Sequence, residues 1–287
     1  VGHAGTLDPM ATGVLVIGVE KATRLLTYVV GADKQYTATI RLGIGTTTDD
    51  AEGEITSAPG FCLADRRDDI AAALAGLTGE IRQVPSSVSA IKVDGKRAYA
   101  RVRGGEEVRL TARPVTVSQF DVLEVRPRTV PVGEGAEVPI VDLDVVVTVS
   151  SGTYVRALAR DLGAALGTAG HLTALRRTRV GGYTLAEART LEELAAQVER
   201  DGVLATIPLV EAAGAYLPMR QVTAEETREL GFGRWIAPTG TPGVHAAICP
   251  PSSPGGAPEL IALLEDTRRG GEALAKPVLV MASATVG

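Results

Sequence analysis

Apolar and polar positions along the chain switch repeatedly between a helical period and strict alternation, a pattern that predicts an α+β protein. Ala22, Leu25, Leu26, Val29 and Val30 recur at helical spacing and predict a helix over Lys21–Val30. Lys34–Leu42 then alternates. Tyr36, Ala38, Ile40 and Leu42 share one face and Gln35, Thr37, Thr39 and Arg41 the other, as in a half-buried strand. Gly43–Gly53, rich in Gly, Thr and Asp, reads as a loop, and Asp65–Leu77 as a helix with Ile70, Leu74 and Leu77 inward. Ser87–Val93 runs into Asp94-Gly95, a hairpin signal. Val115–Val125 and Val138–Val149 are rich in strand formers, with Val141, Leu143, Val145, Val147 and Val149 on one face of the second. The Pro/Gly-containing stretch Arg126–Glu137 between them reads as a flexible connection.

Val155, Leu158, Ala159, Leu162 and Leu166 define an amphipathic helix, with Arg156 and Arg160 one turn apart on its flank. A short strand, Leu175–Val180, and a helix, Leu191–Arg200, complete a first unit over residues 1–208. The pattern changes over 212–287. Thr223–Glu226 fits a capping box opening a short helix, and short strands recur at Val244–Cys249, Glu259–Leu264 and Pro277–Met281 around a Pro/Ser/Gly-rich loop, Pro250–Pro258. A small, β-rich second domain is expected. The sequence shows no internal repeat and no P-loop.

Composition narrows the classes. With 287 residues, 45% hydrophobic and 22% charged, the chain suits two globular domains of roughly 100–200 residues each. Its longest apolar runs fall far short of the roughly 20 residues of a membrane span, so no membrane segment is expected. Two cysteines and three histidines offer neither a disulfide framework nor zinc-ligand spacing. A reduced, cytoplasmic protein without metal or cofactor is expected. The net charge of −5 conceals segregation. Glu80–Arg113 holds eight basic residues against four acidic, and Ser150–Val180 five arginines against one aspartate. This distribution permits an RNA partner without requiring one, since charged runs are commonly solvated faces.

The most informative segment is Gly2-His3-Ala4-Gly5-Thr6-Leu7-Asp8-Pro9-Met10-Ala11-Thr12-Gly13-Val14-Leu15. Gly2, Gly5 and Gly13 permit close backbone approach or positive φ, and Asp8-Pro9 marks a rigid turn. A carboxylate on such a turn, ahead of the apolar run Val14–Ile17, suits a nucleophile or general base; a lone Asp-Pro would equally fit a surface turn. The complete string closely resembles the catalytic motif of the bacterial TruB-type tRNA pseudouridine synthases. Three further segments resemble the same family in the same order. They are Lys34–Ala38 with Leu42-Gly43 and the Thr46–Gly53 loop; Gln83–Lys92 with Gly95 and Tyr99; and Ser151–Leu158 through Gly163, followed by His171-Leu172 and Leu175-Arg176-Arg177.

The resemblance spans about Val1–Arg189 and implies a pseudouridine-synthase-like, mainly antiparallel sheet flanked by helices. It also implies roles: Asp8 as nucleophile, Tyr36 stacking on the target base and serving in proton transfer, and Arg156 pairing with Asp8. Tyr154 and Leu175 would line the pocket, His3 would sit where the base leaves the stack, and Lys92, Arg176 and Arg177 would contact RNA. The implied reaction is isomerisation of the T-loop uridine at position 55 of tRNA, bound at its T-stem-loop and elbow by a monomer. The C-terminal unit resembles, more weakly, a PUA-like RNA-binding domain. Family members usually carry a Lys-Pro-x-Gly-x-Thr/Ser segment before the catalytic motif. Its absence ahead of Val1 makes an N-terminally truncated catalytic domain, with a sheet edge left beside Asp8, the expectation.

Two other readings compete. One is a non-catalytic tRNA-binding or folding protein. The other is a glycosidase, which needs a second carboxyl group roughly 5–9 Å from Asp8. Asp49, Asp50 and Glu52 are the nearby loop candidates, but no tryptophan accompanies them, and a solvated turn is expected there.

Overall fold

A computed structural model describes residues 1–64, 66–86, 92–93, 96–97, 111–133, 135–251 and 256–281, with side chains for all of these except 92–93 and 96–97. The chain begins with three two-residue strands, β1 (Gly2–His3), β2 (Thr12–Gly13) and β3 (Ile17–Gly18). A 3₁₀ turn over Glu20–Leu25 leads into α1 (Leu26–Val30) and then β4 (Lys34–Leu42). A small hairpin, β5 (Gly45–Thr46) and β6 (Ile55–Ser57), precedes α2 (Arg67–Gly76), β7 (Gly79–Gln83) and the pair β8 (Lys92–Val93) and β9 (Lys96–Arg97). A long hairpin, β10 (Arg113–Val132) and β11 (Ala136–Val149), is followed by α3 (Val155–Ala165), β12 (Gly170–Val180), β13 (Tyr183–Thr184) and α4 (Leu191–Asp201). The last elements are α5 (Leu209–Gly214), β14 (Met219–Gln221), α6 (Ala224–Gly231), β15 (Val244–Cys249), β16 (Glu259–Arg269) and β17 (Glu272–Val280).

The main sheet runs β13-β12-β4-β11-β10-β7, with β2 added in parallel to β12 and every other pairing antiparallel. The alternation predicted for β4 holds at each position, and every residue predicted for the inner face of β11 is buried, although Ile140, Asp142 and Thr148 of its other face are buried as well. Tyr36, Ala38, Ile40 and Leu42 are buried beside Val141, Leu143, Val145, Val147 and Val149, and α2 and α3 cover that face. Ile70 and Leu74 of α2, with Leu158, Ala159 and Leu162 of α3, complete this core. The four-stranded sheet β14-β15-β16-β17 has a second core around Val222, Leu230, Ile236 and Leu264. Its capping box is present at Thr223, whose side chain accepts from the Glu226 amide. The two sheets meet where Leu25 packs with Ala213, Ala246, Leu260, Leu263 and Met281.

Two local expectations change. The segment Lys21–Val30 is not one regular helix, because adjacent Leu25 and Leu26 serve different cores. The tight 3₁₀ turn lets Leu25 face the small sheet while Leu26 packs with Ala4, Val14 and Val29. The stretch Arg126–Glu137 is mostly strand rather than flexible connection. Pairing continues from Val117↔Val149 to Val132↔Ala136, and Gly133 and Gly135 close the turn at positive φ. Pro127 and Pro131 lie where β10 is an edge strand among the described residues, a place that tolerates proline.

Candidate active site

The loop carrying Asp8 leaves β1 and returns at β2. It is built as a neck, where its two arms meet β12, and a tip, where a turn is closed by the Ala11 amide donating to the Asp8 carbonyl at 2.9 Å. Gly13 is required at the neck. Its φ is +100°, and a Cβ there would stand 2.1 Å from the Arg177 carbonyl oxygen, because β2 pairs directly with β12 at this point.

At the tip, Arg156 on the first turn of α3 grips Asp8 with two hydrogen bonds, Nε to Oδ2 at 2.9 Å and Nη2 to Oδ1 at 3.1 Å. The Arg156 side chain is 5% exposed and that of Asp8 30%, so the carboxylate keeps an open side while its partner is buried. The third guanidinium nitrogen, Nη1, donates to the Thr48 carbonyl at 2.9 Å and lies 3.4 Å from Oδ2 of Asp50. Arg156 therefore sits between two carboxylates. A planar fork matched to a carboxylate by two parallel hydrogen bonds fixes the direction of that group.

The turn Thr48–Glu52 is not the solvated loop expected of it. Asp50 is buried, its Oδ1 accepting from the Glu52 amide and the Thr48 hydroxyl, and the Asp49 carbonyl accepts from the Leu172 amide. Asp49 takes φ +59° and faces Arg160 at 3.4 Å. Burial pushes the Asp49 carboxyl up, against the opposing pull of a Ser86 hydrogen bond and the two arginines. The physical cause of this burial is tertiary: β12 and α3 close over the turn.

Tyr36 is buried on β4, opposite Arg177 of β12. Burial raises the Tyr36 phenol from its ordinary value, and Arg177, through a hydrogen bond and its charge, partly offsets this. Leu175 is buried in the same core cluster. Tyr154, half-buried, precedes α3. Its amide donates to Gln83 Oε1 at 2.8 Å and its carbonyl accepts from Gln83 Nε2 at 3.1 Å. Gln83, buried at the end of β7, thus ties that strand to the helix bearing Arg156. His3 is exposed on β1.

Arg176 is exposed and donates to the Thr12 hydroxyl at 3.1 Å. Arg177, expected to contact RNA, is only 1% exposed, and its guanidinium is committed to main-chain carbonyls of the Asp8 loop. Neighbours on a strand point to opposite faces, so two adjacent arginines have opposite surroundings. Lys92 lies on β8, and its side chain is outside the described residues. Among the described residues no group of three or more His, Cys, Asp or Glu is arranged to hold a metal, and no helix is long and apolar enough to cross a membrane.

A family model described as "TruB family pseudouridylate synthase (N terminal domain)" matches residues 1–155. Models for the "tRNA pseudouridylate synthase B C-terminal domain" and "tRNA Pseudouridine synthase II, C terminal" match 156–210 and 217–282. The chain is similar to the tRNA pseudouridine synthase B of Arthrobacter sp. (strain FB24), 58% identical over 98% of this chain and 87% of the relative. It is also similar to that of Nocardia farcinica (strain IFM 10152), 55% identical over 98% and 84%. A solved Cbf5-Nop10-Gar1 complex shares the fold at 24% identity, with a TM-score of 0.66 over 98% of this chain and 76% of that one. A solved H/ACA RNP bound to a substrate RNA containing 2'-deoxyuridine does so at 23% identity, with a TM-score of 0.64 over 98% and 75%.

Proposed function

The chain belongs to the TruB family of pseudouridylate synthases and is an isomerase acting on tRNA, and from that premise we propose that Asp8 acts on the T-loop uridine at position 55. The N1–C1′ glycosidic bond breaks, the uracil turns while held in the site, and C5 joins C1′. C5 loses its hydrogen as a proton and N1 gains one, so connectivity changes and composition does not.

The observation that carries this reading is the two-bond grip of Arg156 on Asp8 beside Tyr36. It supplies a carboxylate oxygen held in one direction, with an open side for the ribose and base. Tyr36 stacks on the everted uracil. Its phenol is pushed up by burial and stays protonated at neutral pH, able to serve in proton transfer. Leu175 and Tyr154 line the slot, and His3 fills the place the base vacates. Flipping the base costs roughly a few kcal/mol, which contacts to the surrounding tRNA backbone offset. Lys92 and Arg176 belong to that surface.

Residues 1–208 form the catalytic unit in this reading. Residues 212–287 form a PUA-like RNA-binding unit, a division supported by the separate four-stranded sheet and its core. The enzyme works as a cytoplasmic monomer on the T-stem-loop and elbow, where its substrate resides. The test is incubation of an unmodified tRNA transcript with the protein and with Asp8→Asn. The protein should place pseudouridine in the T-loop, and Asp8→Asn should bind the transcript and yield none. Equal product from both would remove Asp8 from the chemistry. Binding without product from either would favour a binding-only protein.

A further inference from the structure

Arg177 is among the largest fully buried side chains, and it lies on the strand opposite Tyr36 rather than on the RNA-facing surface. Its Nη2 donates to the Gly5 carbonyl at 3.1 Å and its Nη1 to the Thr6 carbonyl at 3.3 Å, both on the arm that leads into Asp8. Its Nε donates to the Val14 carbonyl at 2.7 Å, on the arm that leads away. The Val14 amide donates back to the Arg177 carbonyl at 2.8 Å. In the sheet register Arg177 stands directly opposite Tyr36. One rigid, planar group therefore joins both arms of the loop on the strand that flanks the aromatic residue. Arginine is the one side chain whose fixed fork of five N–H donors can span acceptors on both arms at once; a lysine ammonium cannot.

We propose that Arg177 is a positioning residue for the isomerisation: by closing the neck of the Asp8 loop from the strand position opposite Tyr36, it sets the distance between the carboxylate and the ring that receives the base. The inference rests on the reading of Asp8 and Tyr36 given above. It assigns Arg177 a task in the catalytic step and none in gripping tRNA. Loss of the clamp leaves Arg156 still bound to Asp8 but lets the neck shift against Tyr36, and a misplacement of about 1 Å costs roughly 100-fold in rate.

The test uses Arg177→Lys and Arg177→Gln in the full chain, assayed under single-turnover conditions at saturating tRNA transcript. tRNA affinity is measured by filter binding, the folded fraction by circular dichroism, and Asp8→Asn is run alongside. The expected result is a rate at saturation lowered roughly 100-fold in at least one folded variant. Its tRNA affinity should stay within about threefold, since no phosphate contact is lost. A folded variant with an unchanged rate overturns the proposal. So does a loss of affinity that accounts for the loss of rate, which would return Arg177 to RNA contact. Failure of both variants to fold also overturns it, because Arg177 would then serve stability alone. Should Asp8→Asn be as active as the parent, the reading of the site fails instead, whatever the Arg177 variants do.

Discussion

At the tip of the Asp8 loop the Arg156 guanidinium meets carboxylates, those of Asp8 and Asp50; at the neck the Arg177 guanidinium meets the carbonyls of Gly5, Thr6 and Val14. Both arginines are buried, yet the first is surrounded by opposite charge and the second by main-chain dipoles. Ion pairing at the tip aims a carboxylate that keeps one side open to substrate. Carbonyl ligation at the neck cancels no charge and instead fixes geometry, because main-chain oxygens move only if the chain does. The comparison separates two requirements of an active site, the direction of the reacting group and its place.

The largest effect is expected at the neck. Gly13→Ala puts a methyl group against the Arg177 carbonyl in a backbone conformation that side chains rarely adopt. It should destabilise the catalytic unit by about 3 kcal/mol, read as a lowered urea midpoint. An unchanged midpoint would mean the neck is not rigid.

A smaller effect is expected at the tip. Asp50→Asn leaves Arg156 with Asp8 as its remaining ionic partner among the described residues and weakens one charge-assisted contact. The rate at saturating tRNA should fall roughly tenfold, equivalent to about 1.4 kcal/mol, with affinity unchanged. If the rate does not move, Asp8 alone suffices to aim Arg156, and the second carboxylate is not part of the tip.

The smallest effect concerns His171, buried behind the Asp49–Asp50 turn with Nδ1 2.7 Å from the Ile44 carbonyl. Burial lowers its pKa, opposed by that hydrogen bond; Arg41 also lowers it, while Asp142 and Asp50 raise it. The unfolded chain takes up a proton near pH 6.5 and the folded chain only at lower pH. Stability from the neutral ring is therefore complete above about pH 6.5 and lost as the pH falls through the folded value. Urea midpoints between pH 8 and pH 5 should show this loss in the parent and a flatter profile in His171→Gln. Equal slopes would remove the histidine as its source.

Much of this architecture was legible before any coordinates. The strict alternation of β4 and β11 named the buried face residue by residue, and the helical spacing of Val155–Leu166 marked the helix that covers it. The Thr223–Glu226 capping box was equally readable, since it depends on residues three apart. The Thr190–Glu193 box that opens α4 carried the same signal and could have been found in the same way. In sequence Asp50 reads as one candidate for a second carboxyl group and Arg177 as an RNA contact, and nothing local marks Gln83 as the tie between β7 and α3. Asp50 sits in a run of polar residues that reads as a solvated turn, and Arg177 in a basic run that reads as an RNA surface.

By itself, then, the sequence determined the periods of the main strands and helices, and the motif around Asp8 with the partners that its family resemblance implied. Only the tertiary structure decided which of two adjacent arginines faces outward, and whether an acidic turn is wet or buried. The reason is physical. A charged side chain takes its role from the groups packed around it, and for Arg156 and Arg177 those lie 148 and up to 172 positions away along the chain. Local spacing therefore carries no record of them.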